Sequence, residues 1–166
     1  MNRLVLPIFF LLCSLVTPIV SVVLNVQFNQ ECSGYLKQAA DANSVEISLE
    51  RLNKAVAYIE SHGLVIGYTS VLWKTEDENI GFWYRNIKAC QRELVECQNK
   101  SQLEKTNVLM KVRESLTDDG EKGTVLTIPD GIHKYPSNGM FAVFNILSVF
   151  GIIGCLAWLK VEIEEL

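Results

Sequence analysis

Five cysteines and two histidines are the side chains best suited to chemistry in this chain of 166 residues. Cys13 and Cys155 lie in apolar runs and read as small buried residues. Cys32, Cys90 and Cys97 lie in the polar middle of the chain. On one helix, the spacing of Cys90 and Cys97 corresponds to about 10 Å of rise, too far for a bridge between them. Three options stay open: Cys32 paired with one of them, a cysteine cross-linking two chains, or three free thiols. Redox-controlled dimerisation through Cys90 or Cys97 is the chemistry that pattern allows. No Cys-x-x-Cys is present, so thiol exchange is not expected.

His62 and His133 have no companions at metal-ligand spacing, and His62 reads as a helix-end residue. Asp118-Asp119-Gly120 and Asp130-Gly131 lack calcium-loop order and read as turns. No phosphate-binding glycine loop or nucleophile elbow is visible. The expectation is a protein that is not an enzyme and carries no cofactor or metal. Asn99-Lys100-Ser101 matches a glycosylation sequon, which the helical pattern places mid-helix. The net charge of −4 offers no basic stripe for nucleic acid and no polybasic patch for anionic lipid.

The elements that position these residues begin with the two ends. Met140 to Leu159 is free of charge and matches a hydrocarbon core of about 30 Å when helical. Asn138-Gly139 stops any helix before it, and Trp158 and Lys160 suit the interface. Within it Asn145, Ser148, Gly151 and Cys155 form a face of small and polar residues fit for helix packing. Residues 1–24 carry Arg3 and then an apolar run. This segment reads as a transmembrane helix or signal anchor, with a cleaved signal peptide ending near Pro18 and Ser21 as the competing reading. Arg3 and Lys160 mark cytoplasmic flanks, which puts the middle of the chain outside the cytoplasm, whether periplasmic, luminal or extracellular.

Residues 25–116 read as a long antiparallel helical hairpin. After a short junction at 25–30, Tyr35, Gln38, Ala42, Val45, Leu49, Leu52, Val56 and Ile59 step by three and four, predicting one helix over 32–61. Asn43 with Glu46 offers a capping box that would split it. Gly63 is placed to end it in the left-handed conformation. Thr75 to Glu78 reads as the capping box of a second helix over 76–116, with Ile80, Trp83, Ile87, Cys90, Leu94 and Cys97 on one face. After Ser101 the phase slips, as where a coiled-coil seam unwinds, and Leu109, Val112 and Leu116 take over. Residues 117–139 form a turn-rich linker in which Thr124 to Ile128 could pair as a strand with Val26 to Phe28.

The tip, 64–84, collects Tyr68, Trp73, Phe82, Trp83 and Tyr84. These read either as a small core capping the hairpin or as a partner-binding surface. The fold class expected is all-α: two spans flanking a coiled-coil-like hairpin. A lone helix pair leaves its seam half exposed, so a second copy or a helical protein partner is expected to cover it. The expected function is that of a small integral membrane protein mediating protein–protein interaction or self-assembly, as an accessory or scaffold subunit. The layout of span, helical outer domain and span resembles the input half of helical-bundle bacterial receptors. That resemblance implies the alternative, a ligand-sensing input module. Only Lys160 to Leu166 follows the last span, so such a module would signal through a separate cytoplasmic partner.

Overall fold

The computed structural model describes residues 5–120 and 123–164, with side chains from residue 12 onward apart from 13, 159 and 162–164. Arg3 and the Cys13 side chain therefore lie outside the described residues. Helix α1 (Val5–Phe28), a π turn (Asn29–Ser33) and α2 (Gly34–Ala40) form one unbroken rod, roughly 54 Å long at the usual helical rise. Gly34 N–H donates to the Asn29 carbonyl, and the backbone stays right-handed at both joins. The turn thus absorbs the junction expected at 25–30 without ending the helix.

The single helix expected over 32–61 is instead broken at 41–44. Ser44 has extended backbone, and its Oγ accepts from Ile47 N–H at 3.3 Å, capping α3 (Val45–Ser61). The chain folds back so that Ser48 Oγ donates to the Ala39 carbonyl at 2.9 Å, satisfying an acceptor in the last turn of α2. The break resets the phase. Cys32, Leu36, Ala39 and Ala40 are buried before it, while Gln38 on the expected seam is exposed. From Val45 onward the expected positions hold, with Val45, Leu52, Val56 and Ile59 all buried. Gly63, at φ +66°, closes α3 with Leu64 N–H donating to the Ile59 carbonyl at 2.9 Å.

The second helix is broken too. Thr75 Oγ1 donates to Glu78 Oε2 at 2.7 Å, yet Glu76–Glu78 makes only one 3-10 turn. The true cap is Asn79, whose Oδ1 accepts from Phe82 N–H at 3.0 Å at the start of α4 (Ile80–Glu96). All six expected positions from Ile80 to Cys97 are buried. The slip after Ser101 proves to be a turn at 97–101. Ser101 and Glu104 form the capping box that opens α5 (Gln102–Leu116). The sequon at Asn99 lies in this exposed turn rather than mid-helix.

Helices α2 to α5 therefore enclose one core. The half-open seam of a two-helix hairpin does not occur, because α2 and α5 cover it. Strands β1 (Thr117–Gly120) and β2 (Gly123–Leu126) pair antiparallel with Thr117 opposite Leu126. This replaces the expected pairing with Val26 to Phe28, which are helical.

Helix α6 (Asn138–Glu164) starts two residues before the expected span, taking Asn138 and Gly139 into its first turn. It runs antiparallel to α1. Ser148 Oγ lies 3.1 Å from Thr17 Oγ1, and a Cβ on Gly151 would stand 4.0 Å from Ser14. Cys155 is buried and Asn145 half-buried on the same stripe. The other faces of both helices expose large apolar side chains such as Val22, Ile19, Phe150 and Leu147. Among the described residues, Asn138–Trp158 is the one helical stretch long and apolar enough by length and composition to cross a membrane.

Candidate functional site

The five aromatic candidates of the tip do not form one surface. Trp83 is buried in the core of the helical domain. Tyr84 points the other way, its hydroxyl donating to Glu60 Oε1 at 2.6 Å, with Lys88 Nζ 3.3 Å from the same oxygen. Those two donors hold the Glu60 carboxyl below its ordinary range. Tyr68 is half-buried, and its hydroxyl accepts from Asn79 Nδ2 at 3.2 Å. Only Trp73 and Phe82 stand in solvent. They belong to different places, Trp73 to the loop between α3 and α4 and Phe82 to a groove along α4.

That groove is a well-formed concavity among the described residues. Its volume is about 700 Å³, within the range of about 300–1,000 Å³ that ligand sites usually occupy. Phe82, Trp83 and Ile87 of α4 make one wall; Leu116, Leu126 and Ile128 make the other. The walls are held from both sides. Thr69 N–H donates to the Glu78 carbonyl at 3.0 Å and Ile80 N–H to the Gly67 carbonyl at 2.9 Å, locking the start of α4 to the preceding loop. Thr127 N–H donates to the Leu116 carbonyl at 2.9 Å, laying the return segment against the end of α5.

Carboxylates rim this apolar floor: Glu76, Asp77, Glu78, Asp118 and Asp130. Glu76 accepts from Asn79 Nδ2 at 3.1 Å, and Glu78 from Thr75. Among the described residues none of the five forms an ion pair, and no Lys or Arg lines the groove. One sign of charge over low-dielectric walls focuses a negative potential into the cleft. Sequence reasoning missed this site. By sequence the acids read as helix-cap and turn residues, and Thr124 to Ile128 as a strand directed to Val26 to Phe28 rather than to α4 and α5.

The three cysteines of the domain are free and buried rather than paired. Cys32 sits at 0% exposure, where burial pushes its thiol up to about 12. Burial also raises Cys90, and Cys97 Sγ donates to the Leu94 carbonyl at 3.4 Å. Cross-linking two folded copies through Cys90 or Cys97 would require the bundle to open. In full-length protein held in detergent, an alkylating maleimide is expected to modify Cys32, Cys90 and Cys97 only after denaturation. Rapid modification of Cys97 in the native protein would place that end of α4 at the surface and break the assignment.

Among the described residues no group of three His, Cys, Asp or Glu side chains is placed to hold a metal ion. What the groove presents is apolar side-chain area rimmed by carboxylates. No protein-family model, curated protein or solved structure matches this chain.

Proposed function

We propose that this chain is a membrane-anchored binding protein. Helices α1 and α6 cross the bilayer together as an antiparallel pair, and the four-helix domain stands outside the cytoplasm. The groove along α4 engages a protein partner. The pairing is supported by the shared polar stripe of Ser14, Thr17, Ser148 and Gly151, set in helices otherwise apolar to the outside. Arg3 and Lys160 then fall on one side of the membrane and the domain on the other.

The observation that carries the reading is the acid-rimmed groove. Its chemistry fits a partner segment bearing Lys or Arg beside large aliphatic or aromatic side chains. The groove takes over the role that the sequence gave to an exposed helical seam. A sensing role is the second reading, favoured by the unbroken rod from Val5 to Ala40. That rod joins the first span directly to the core, so a shift at the domain would move the span.

The test is titration of full-length protein in nanodiscs with synthetic peptides that are basic and apolar, acidic and apolar, or basic and polar. Only the first class is expected to bind, and more weakly as salt rises. Phe82→Ala is expected to weaken it by roughly tenfold or more, the loss of an anchoring aromatic. Glu76→Lys with Glu78→Lys is expected to abolish it. Equal binding of acidic and basic peptides would sink the assignment.

A further inference from the structure

The loop between α3 and α4 exposes four large apolar side chains: Ile66 at 73%, Val71 at 50%, Leu72 at 78% and Trp73 at 76%. A hairpin tip would carry them far from the membrane, but the fold does the opposite. Because α3 runs back along the rod, its C-terminus returns to the level of Phe28 at the end of α1. Phe28 meets the Tyr58 ring edge-on at 5.9 Å, and Tyr58 stacks on His62 at 3.9 Å, just before the loop begins. From the other side, Tyr135 Oη donates to the Ile66 carbonyl at 2.9 Å, and Tyr135 lies three residues before α6 begins. The apolar loop is thus moored where both apolar helices leave the domain.

We propose that Ile66, Val71, Leu72 and Trp73 insert into the headgroup region of the bilayer, making the loop a third membrane contact beside α1 and α6. This rests on the reading of α6 as a membrane span. The bilayer is the occupant because the loop is continuous with the bases of the spans. A partner protein at that level would have to displace lipid. Trp73 has the apolar body and polar edge suited to the interface, and Lys74 follows it with its ammonium 5.4 Å from the centre of the Tyr68 ring. The carboxylates that come next, Glu76 to Glu78, line the groove instead. Insertion is therefore driven by apolar contact and needs no anionic lipid. Its effect is to hold the domain at a fixed height and tilt, with the groove opening just above the membrane surface.

Full-length protein carrying one introduced cysteine, Leu72→Cys, Asn107→Cys or Ile153→Cys, tests this after labelling with an environment-sensitive fluorophore. Cys32, Cys90, Cys97 and Cys155 are buried and Cys13 is replaced by Ser, which leaves the new thiol as the reactive one, and the Cys13→Ser protein serves as the labelling blank. The labelled proteins are reconstituted in phosphatidylcholine vesicles containing lipids with a nitroxide near the headgroup or deep in the chain. The label at 72 is expected to be blue-shifted and to lose most of its emission to the shallow nitroxide. The label at 107, at the far end of the domain, should be unaffected, and the label at 153 should respond to the deep nitroxide. An unquenched label at 72 with a quenched label at 153 would overturn the loop proposal while leaving the span in place. A blue-shifted label at 72 that no lipid quenches would assign the loop to a protein contact and overturn it as well. Silence at both 72 and 153 would remove the membrane reading and the loop proposal together.

Discussion

Trp83→Ala is expected to lower the unfolding free energy of the helical domain by about 3–5 kcal/mol, the usual cost of deleting a buried aromatic. Trp83 is only 6% exposed and sits on the buried stripe of α4 between Ile80 and Ile87, both essentially inaccessible. Its removal leaves a void in the groove wall that it shares with Ile87, which the close-packed core fills only by moving backbone. Domain stabilities are typically about 5–15 kcal/mol, so this one change takes a large fraction of the total. Trp73→Ala is the internal control. At 76% exposure it is expected to stay within about 0.5 kcal/mol of the parent in detergent. Urea unfolding of full-length protein followed by circular dichroism reads both. Equal losses in the two variants would mean that the burial assigned to these tryptophans is wrong.

Gly67→Ala is expected to cost about 2–3 kcal/mol and to detach the loop from the base of α6. Two independent causes act at this position. Its φ of +111° lies where L side chains rarely go. A Cβ there would also meet the hydroxyl of Tyr135, with Tyr135 Cζ at 2.9 Å. Tyr135 is pinned by its hydrogen bond to the Ile66 carbonyl, and Gly67 also supplies the carbonyl that receives Ile80 N–H at the start of α4. The strain therefore spreads to the return segment and the first turn of α4. A double-mutant cycle separates the causes. In the Tyr135→Ala background the clash is gone and only the backbone share of the Gly67→Ala penalty remains. A full, undiminished penalty in that background would show that Tyr135 does not press on Gly67.

How much of this was legible in the residues follows from what kind of signal each feature leaves. The stripe from Ile80 to Cys97 was readable because one uninterrupted helix packs one face on one core, which writes a 3.6-residue period into the sequence. Gly63 as the end of α3, and an uncharged helix from about Met140 to Leu159, were readable for similarly local reasons. The break at 41–44 was signalled only as the alternative capping box of Asn43 with Glu46, and the turn at 97–101 only as a slip in phase after Ser101. A helix and a turn there differ by a few capping hydrogen bonds, and the choice of Ser44 or Ser101 as cap depends on which tertiary face the next helix can reach. The helical period that runs from Ile80 marked Trp83 as a seam residue, but loop residues carry no period, so nothing local showed whether Tyr68 and Trp73 were buried or exposed.

The groove was beyond reach for the same reason. Its two walls, 76–87 and 115–130, are joined by contacts between residues far apart in sequence, and such contacts leave no local pattern. The sequence by itself determined helical character, the apolar ends and the buried face of α4, because these depend on neighbours within a turn or two. Only the tertiary structure decided that four helices close their own seam, that the loop returns to the bases of α1 and α6, and that five carboxylates gather around one apolar cleft. Chain reversal sets all three, and it is selected by the packing of the whole core.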